Sequence, residues 1–126
     1  MKLVIGGRAQ GKLQYVLQQC QIQKDAVTDS AIPESTYAEK TSVINHFHSW
    51  FKDSMKQGEC PEQTIQEFLE KQPDCIIISD EIGNGIVPID GFEREYRERL
   101  GRCLTQLAAQ AEEVERVICG LGQRLK

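Results

Sequence analysis

The first fourteen residues, MKLVIGGRAQGKLQ, constrain the fold more than any other stretch. Residues 2–5, KLVI, form a short apolar run that reads as a buried parallel strand and ends in paired glycines. From Gly11 to about Gln23 the chain is helix-forming, with Leu13, Tyr15, Val16, Leu17 and Cys20 mostly on one face. Between strand and helix, Gly6, Gly11 and Lys12 stand at the spacing of the phosphate-binding pattern G-x-x-x-x-G-K-S/T. The glycines of that pattern let backbone N–H groups turn inward around a phosphate. The lysine reaches the outer phosphates, the hydroxyl ligates magnesium, and the following helix N-terminus adds a positive field. The expected binding residues are therefore Gly6, Gly7, Arg8, Ala9, Gln10, Gly11, Lys12 and Leu13. A glycine-rich strand-to-helix turn without a ligand is the competing reading.

Leu13 stands where the pattern has its hydroxyl. Leucine cannot ligate a cation, so magnesium would have to be held by water, by the nucleotide or by a carboxylate elsewhere. Phosphate cradling by the backbone is untouched. Such a loop can bind nucleotide and still be poor at phosphoryl transfer, which depends on metal to neutralise developing charge.

Further along, residues 24–42 read as a loop, with a weak strand candidate at Ala26–Val27–Thr28. Residues 42–56, SVINHFHSWFKDSMK, allow a short strand followed by a helix, or a helix throughout. Pro61 sits at a first helical turn, with Ile65, Phe68 and Leu69 on one face. CIIIS at 75–79 is the clearest strand, buried on both faces. The longest helix is expected over about 91–113, starting at a capping-box-like Asp90 and Glu93. Residues 114–119, VERVIC, form a last strand, and Gly120 and Gly122 open a turn into QRLK. Alternation of strand and helix gives an α/β fold with a mostly parallel sheet flanked by helices.

At 126 residues the chain is expected to be one nucleotide-binding domain, 1–126. Its 40% hydrophobic and 27% charged residues suit a soluble protein, and no apolar run approaches the roughly 20 residues that span a bilayer. Cytoplasmic location is the expectation. The net charge of -4 argues against nucleic-acid or membrane-surface binding. Five scattered cysteines without a CxxC pair indicate neither a disulfide framework nor a zinc site, and read as buried thiols.

The stretch DEIGNGIVPIDGFEREYRERLGR resembles the adenosylcobinamide kinase/adenosylcobinamide-phosphate guanylyltransferase family of cobalamin biosynthesis. That family's pattern there is approximately N-E-V-G-x-G-I/V-V-P, then a helix with R-R-F-R-D-x-x-G-R. Glu81, Gly83, Gly85, Val87 and Pro88 match the first part; Arg94, Arg97, Gly101 and Arg102 match the second, with Tyr96 in the aromatic position. The opening strand and loop match as well, as does the closing VICGLGQRLK. The resemblance implies a P-loop NTPase-like fold, GTP or ATP as nucleotide, a corrinoid as acceptor, and a homo-oligomer, with a trimer expected. It implies two reactions: phosphorylation of the hydroxyl of the cobinamide side arm, then transfer of GMP to that phosphate through a histidine.

Family members are longer in the middle, where they carry the histidine that accepts GMP in an H-x-x-x-R setting; no such segment occurs here. His46 and His48, in VINHFHSW, align with a later strand and a tryptophan-containing helix, with Trp50 as the tryptophan. On that alignment Asn45 replaces a metal-side aspartate, and both histidines are ordinary residues near a strand end. Guanylyl transfer is then expected to be lost. For the kinase step Lys12, Glu81 and Arg97 are the expected catalytic residues. Lys12 holds outer phosphates, Glu81 assists the metal or the attacking hydroxyl, and Arg97 neutralises charge. Asp80 ends the strand CIIISD and either holds magnesium through water or caps a turn. Arg94, Arg97, Arg99 and Arg102 alternate with Glu93, Glu95 and Glu98, which reads as a self-paired solvated face, whereas the resemblance implies a phosphate role for Arg94 and Arg97, with a subunit boundary as one setting for it. Gly83 and Gly85 suggest either a close backbone approach or a plain turn. A catalytically degenerate nucleotide-binding or assembly paralogue is the alternative function.

Overall fold

The computed structural model describes residues 1–33, 41–82 and 90–126. Their elements run β1 (Lys2–Gly6), α1 (Lys12–Gln19), a 3-10 turn (Lys24–Ala26), β2 (Val27–Asp29), β3 (Val43–Asn45), α2 (Phe47–Lys56), α3 (Pro61–Lys71), β4 (Ile76–Asp80), α4 (Gly91–Gln110), β5 (Glu113–Ile118) and β6 (Leu121–Arg124). Among the described residues the strands form one sheet in the order β2-β3-β4-β1-β5-β6. Every pairing is parallel except β5 with β6. This is the α/β P-loop NTPase-like architecture expected from the sequence.

Side chains alternate across a strand, so β1, β3, β4 and β5 each feed two cores. Leu3, Ile44, Ile77 and Val114 lie under α2, α3 and α4, against Phe47, Phe51, Ile65, Phe68, Leu100 and Leu107. Val4, Val43, Ile76, Ile78 and Val117 turn to the other face and meet Val16 of α1. The isoleucine run of β4 thus splits between faces, which is why it shows no polar alternation. Burying each such side chain contributes about 1.5–3 kcal/mol. Register then aligns the carboxyl ends: Gly6 pairs with Asp80, and Asp29 with Asn45. In an open parallel sheet that edge is where ligands enter.

Several boundaries differ from the sequence reading. α1 stops at Gln19 rather than about Gln23, because Gln21 adopts a left-handed φ of 52° that no helix continues. The stretch 42–56 resolves into strand then helix, β3 and α2. The weak strand lies at Val27–Asp29, one residue later than expected. α4 ends at Gln110, and β5 spans Glu113–Ile118. Residues after Gly120 form β6, joined to β5 through a two-residue turn. Cys119 and Gly120 both have positive φ there, 51° and 74°, as a tight hairpin turn requires. Asp90 caps α4 by accepting from the Phe92 N–H at 2.9 Å, whereas Glu93 pairs with Lys52 of α2 instead of closing a capping box. Only Cys75 and Cys103 are buried thiols; Cys60 and Cys119 are exposed. Burial pushes the Cys75 thiol up to about 11 and Cys103 up to about 12, so both stay protonated and inert. No helix among the described residues is long and apolar enough to cross a membrane.

Candidate nucleotide-binding cleft

The glycine-rich loop leaves β1 at a place with no room for a side chain. A Cβ on Gly6 would lie 2.5 Å from the Val117 carbonyl oxygen of β5. The Gly6 carbonyl accepts the Glu81 N–H at 2.8 Å, tying the loop root to the end of β4. Gly11 then starts α1 at a left-handed φ of 83°, with no side-chain cap on the helix N-terminus. The first-turn N–H groups therefore stay available to an anion. Gln10 braces the loop from the other side. Its side-chain Oε1 accepts the Cys119 N–H at 2.7 Å, and its carbonyl accepts the Gly120 N–H at 2.8 Å. The β5–β6 turn thus holds the loop, a contact that sequence reasoning missed because it joins residues 109 apart.

Lys12 is folded back into the loop it follows. Its Nζ donates to the Gly7 carbonyl and pairs with Asp80 Oδ1, both at 2.7 Å, and its side chain is only 8% exposed. Asp80 is held from a second direction by His48. The His48 Nδ1 accepts the Asp80 backbone N–H at 3.0 Å, so the ring proton sits on Nε2, 3.4 Å from Asp80 Oδ2. Burial holds His48 below its ordinary pKa, in keeping with this neutral tautomer. Tyr96 of α4 donates its hydroxyl to the His48 carbonyl at 3.0 Å, fixing the start of α2.

Beside this trio stands a second one. Asp29 Oδ1 lies 2.6 Å from His46 Nδ1 and accepts from Asn45 Nδ2 at 2.9 Å. His46 caps α2 in the left-handed region, φ 53° and ψ 47°. The two imidazoles meet edge to face, 5.6 Å between centroids. Asn45, His46, His48 and Asp80, together with the loop, line a cleft of about 340 Å³.

Arg8, Ala9, Gln10, Gly11, Lys12, Leu13 and Asp80 all line this cleft, with Gly6 and Gly7 at its root. Glu81 is not among the described lining residues. Its carboxylate meets Arg116 of β5, Oε1 2.8 Å from Nε and Oε2 accepting from Nη2 at 3.1 Å. Arg94 and Arg97 lie on α4, also outside the described lining. Arg102 pairs with Glu98 and Arg99 with Glu95 within α4, as a self-paired face requires, but the tighter partner of Arg99 is Glu62 of α3. Gly83, Gly85, Val87 and Pro88 fall outside the described residues, as does the 34–40 part of the expected loop. His46 and His48, read from sequence as ordinary strand-end residues, both line the cleft. Asp29 was missed altogether, and only its strand-end position next to β3 could have suggested it.

The donor set does not build a metal site of its own. Leu13 offers no oxygen, Asn45 directs its amide nitrogen to Asp29, and Asp80 is already engaged by Lys12 and His48. Among the described residues no group of three or more His, Cys, Asp or Glu is placed to hold a metal ion.

Comparison with known proteins agrees with this architecture. The family model described as "Cobinamide kinase / cobinamide phosphate guanyltransferase" matches residues 21–125, beginning after the loop. The chain is 41% identical over 81 residues to the "Bifunctional adenosylcobalamin biosynthesis protein CobU" of Escherichia coli K12, covering 61% of this chain and 44% of that protein. It is 39% identical over 51 residues to the protein of the same name from Salmonella typhimurium LT2, covering 40% of this chain and 28% of that one. The chain thus spans less than half the length of the curated relatives it matches. With most of its length matched by the family model and a loop-bearing parallel sheet to carry it, the chain belongs to the cobinamide kinase / cobinamide phosphate guanyltransferase family.

Proposed function

We propose that residues 1–126 form one nucleotide-binding domain that takes a nucleoside triphosphate, GTP or ATP, at the Gly6–Lys12 loop. Where it turns over, it transfers the γ-phosphoryl group to the hydroxyl of the cobinamide side arm. The observation that carries the reading is Lys12, buried at the mouth of a cleft between a glycine loop and the carboxyl ends of β3 and β4. Loop N–H groups and Lys12 hold the outer phosphates. Asp80 is the carboxylate nearest to them, and magnesium, when present, arrives with the nucleotide. Glu81, clamped by Arg116, acts by fixing the end of β4 rather than by touching the hydroxyl. A charge-neutralising part for Arg97 would belong to a neighbouring subunit of a homo-oligomer, for which family membership suggests a trimer. Guanylyl transfer is not part of the reading, because the histidine segment that serves it in the family is missing. A cytoplasmic location accords with a biosynthetic role.

A second reading has its own support. Leu13 and Asn45 remove two oxygens from the magnesium side of the site, as in a nucleotide-binding or assembly paralogue that has lost catalysis. Calorimetric titration with GTP and ATP, followed by turnover assays with cobinamide, separates them. Phosphorylated cobinamide supports the kinase. Nucleotide binding without product supports the paralogue. No binding of either nucleotide refutes both.

A further inference from the structure

We propose that His46, oriented by Asp29, is the general base that takes the proton of the acceptor hydroxyl during phosphoryl transfer. This rests on the kinase reading above and adds to it a residue that the sequence comparison left without a role.

The assignment follows from which groups near the cleft have an atom to spare. Asp80 is committed to Lys12, its Oδ1 2.7 Å from Nζ, and its Oδ2 lies 3.4 Å from His48 Nε2. Glu81 gives both oxygens to Arg116. His48 spends Nδ1 on the Asp80 N–H, so its Nε2 carries the ring proton, 3.4 Å from the Asp80 carboxylate. His46 differs. Its Nδ1 faces a carboxylate oxygen at 2.6 Å, so Nδ1 carries the proton and Nε2 carries the lone pair. No hydrogen bond is made by that Nε2 among the described residues. The side chain is half exposed in the cleft that the loop lines.

Two further features hold the ring there. Asp29 is itself pinned, since Asn45 Nδ2 donates to the same oxygen at 2.9 Å, and Asp29 and Asn45 are register partners in β2 and β3. The backbone of His46 is left-handed, a conformation that costs a non-glycine residue free energy and clusters at functional sites. In the step, the acceptor oxygen forms its bond to the γ-phosphorus as its proton passes to His46 Nε2. The bond from that phosphorus to the β,γ-bridging oxygen breaks, and the electron pair leaves with the nucleoside diphosphate. Asp29 stabilises the imidazolium, which returns its proton to solvent.

The test uses the full chain with GTP or ATP and cobinamide. His46→Asn keeps a residue that tolerates the left-handed backbone but supplies no base. It should lower kcat by about a hundredfold or more, with triphosphate affinity by calorimetry changed by less than about threefold. Asp29→Asn, a positioning change, should lower kcat by about tenfold while leaving the triphosphate KM in place. His46→Gly should regain part of its rate when imidazole is added, which a structural role would not produce. His46→Asn turning over like wild type overturns the base alone, as does turnover lost in proportion to triphosphate binding. Acid-labile phosphate or GMP on His46 also overturns it, by making His46 a nucleophile. Wild type that binds triphosphate yet phosphorylates no cobinamide overturns the base and the kinase together.

Discussion

Replacing Asp80 by asparagine should tighten triphosphate binding in the absence of magnesium. In the free chain the Lys12 ammonium is shared between the Gly7 carbonyl and Asp80 Oδ1 at 2.7 Å each, with Asp80 one-fifth exposed. An incoming phosphate competes with that carboxylate for Lys12 and is repelled by its charge. A hydrogen bond to a charged group is worth about 1.5–3 kcal/mol and a neutral one about 0.5–1.5 kcal/mol. An asparagine oxygen in place of the carboxylate therefore removes about 1–1.5 kcal/mol of competition, which is roughly a tenfold gain in affinity. The gain should fall mainly on the triphosphate and hardly on the nucleoside. Calorimetry with GTP and ATP in EDTA reads it, with thermal melts checking that Asp80→Asn is folded. Equal or weaker triphosphate binding would refute the view that Asp80 holds Lys12 in reserve. Repeating the titration with magnesium asks a second question. If the gain then shrinks or reverses, Asp80 is contributing a water-held cation site.

Lys12→Ala should weaken triphosphate binding and spare nucleoside; equal affinities for wild type and variant would remove the loop from the site. Leu13→Ser should increase the dependence of nucleotide affinity on magnesium, because it restores an oxygen next to Lys12, and complete loss of wild-type binding in EDTA would contradict this account of Leu13. Gly6→Ala should force β1 from β5 at the loop root, where a Cβ would sit 2.5 Å from the Val117 oxygen. A cost of about 1–3 kcal/mol and a melting temperature lower by several degrees are expected, and an unchanged melt would show that the strands give way freely. The hydrogen bonds from Arg99 hold the Glu62 carboxyl below its usual 4.5. A depressed carboxyl contributes stability that is present above that value and lost as pH falls through the folded one. Glu62→Gln should therefore flatten the acid limb of melting temperature against pH below about 4.5, and parallel limbs would count against the pair.

What could be read without the structure was local. A strand run, a glycine at the turn and a one-faced helix are periodic features of neighbouring residues, so β1, the loop, α1, β4 and most of α4 stood out in the chain. The family resemblance rested on one such continuous stretch around Glu81 to Arg102. Lys12 could be nominated for phosphate because its neighbours in sequence are its neighbours in space. What only the tertiary structure decided depends on strand order, which no window of sequence contains. The order β2-β3-β4-β1 sets Asp29 against His46 and His48 against Asp80, pairs 17 and 32 residues apart. The same order places Arg116 on Glu81 and the β5–β6 turn on Gln10, contacts that hold the Glu81 carboxylate in an ion pair and brace the loop. Side chains at strand ends acquire their chemistry from whichever strand lies alongside. For this reason the loop was legible in the sequence, whereas the partners of the two histidines and of Asp80 had to wait for the sheet.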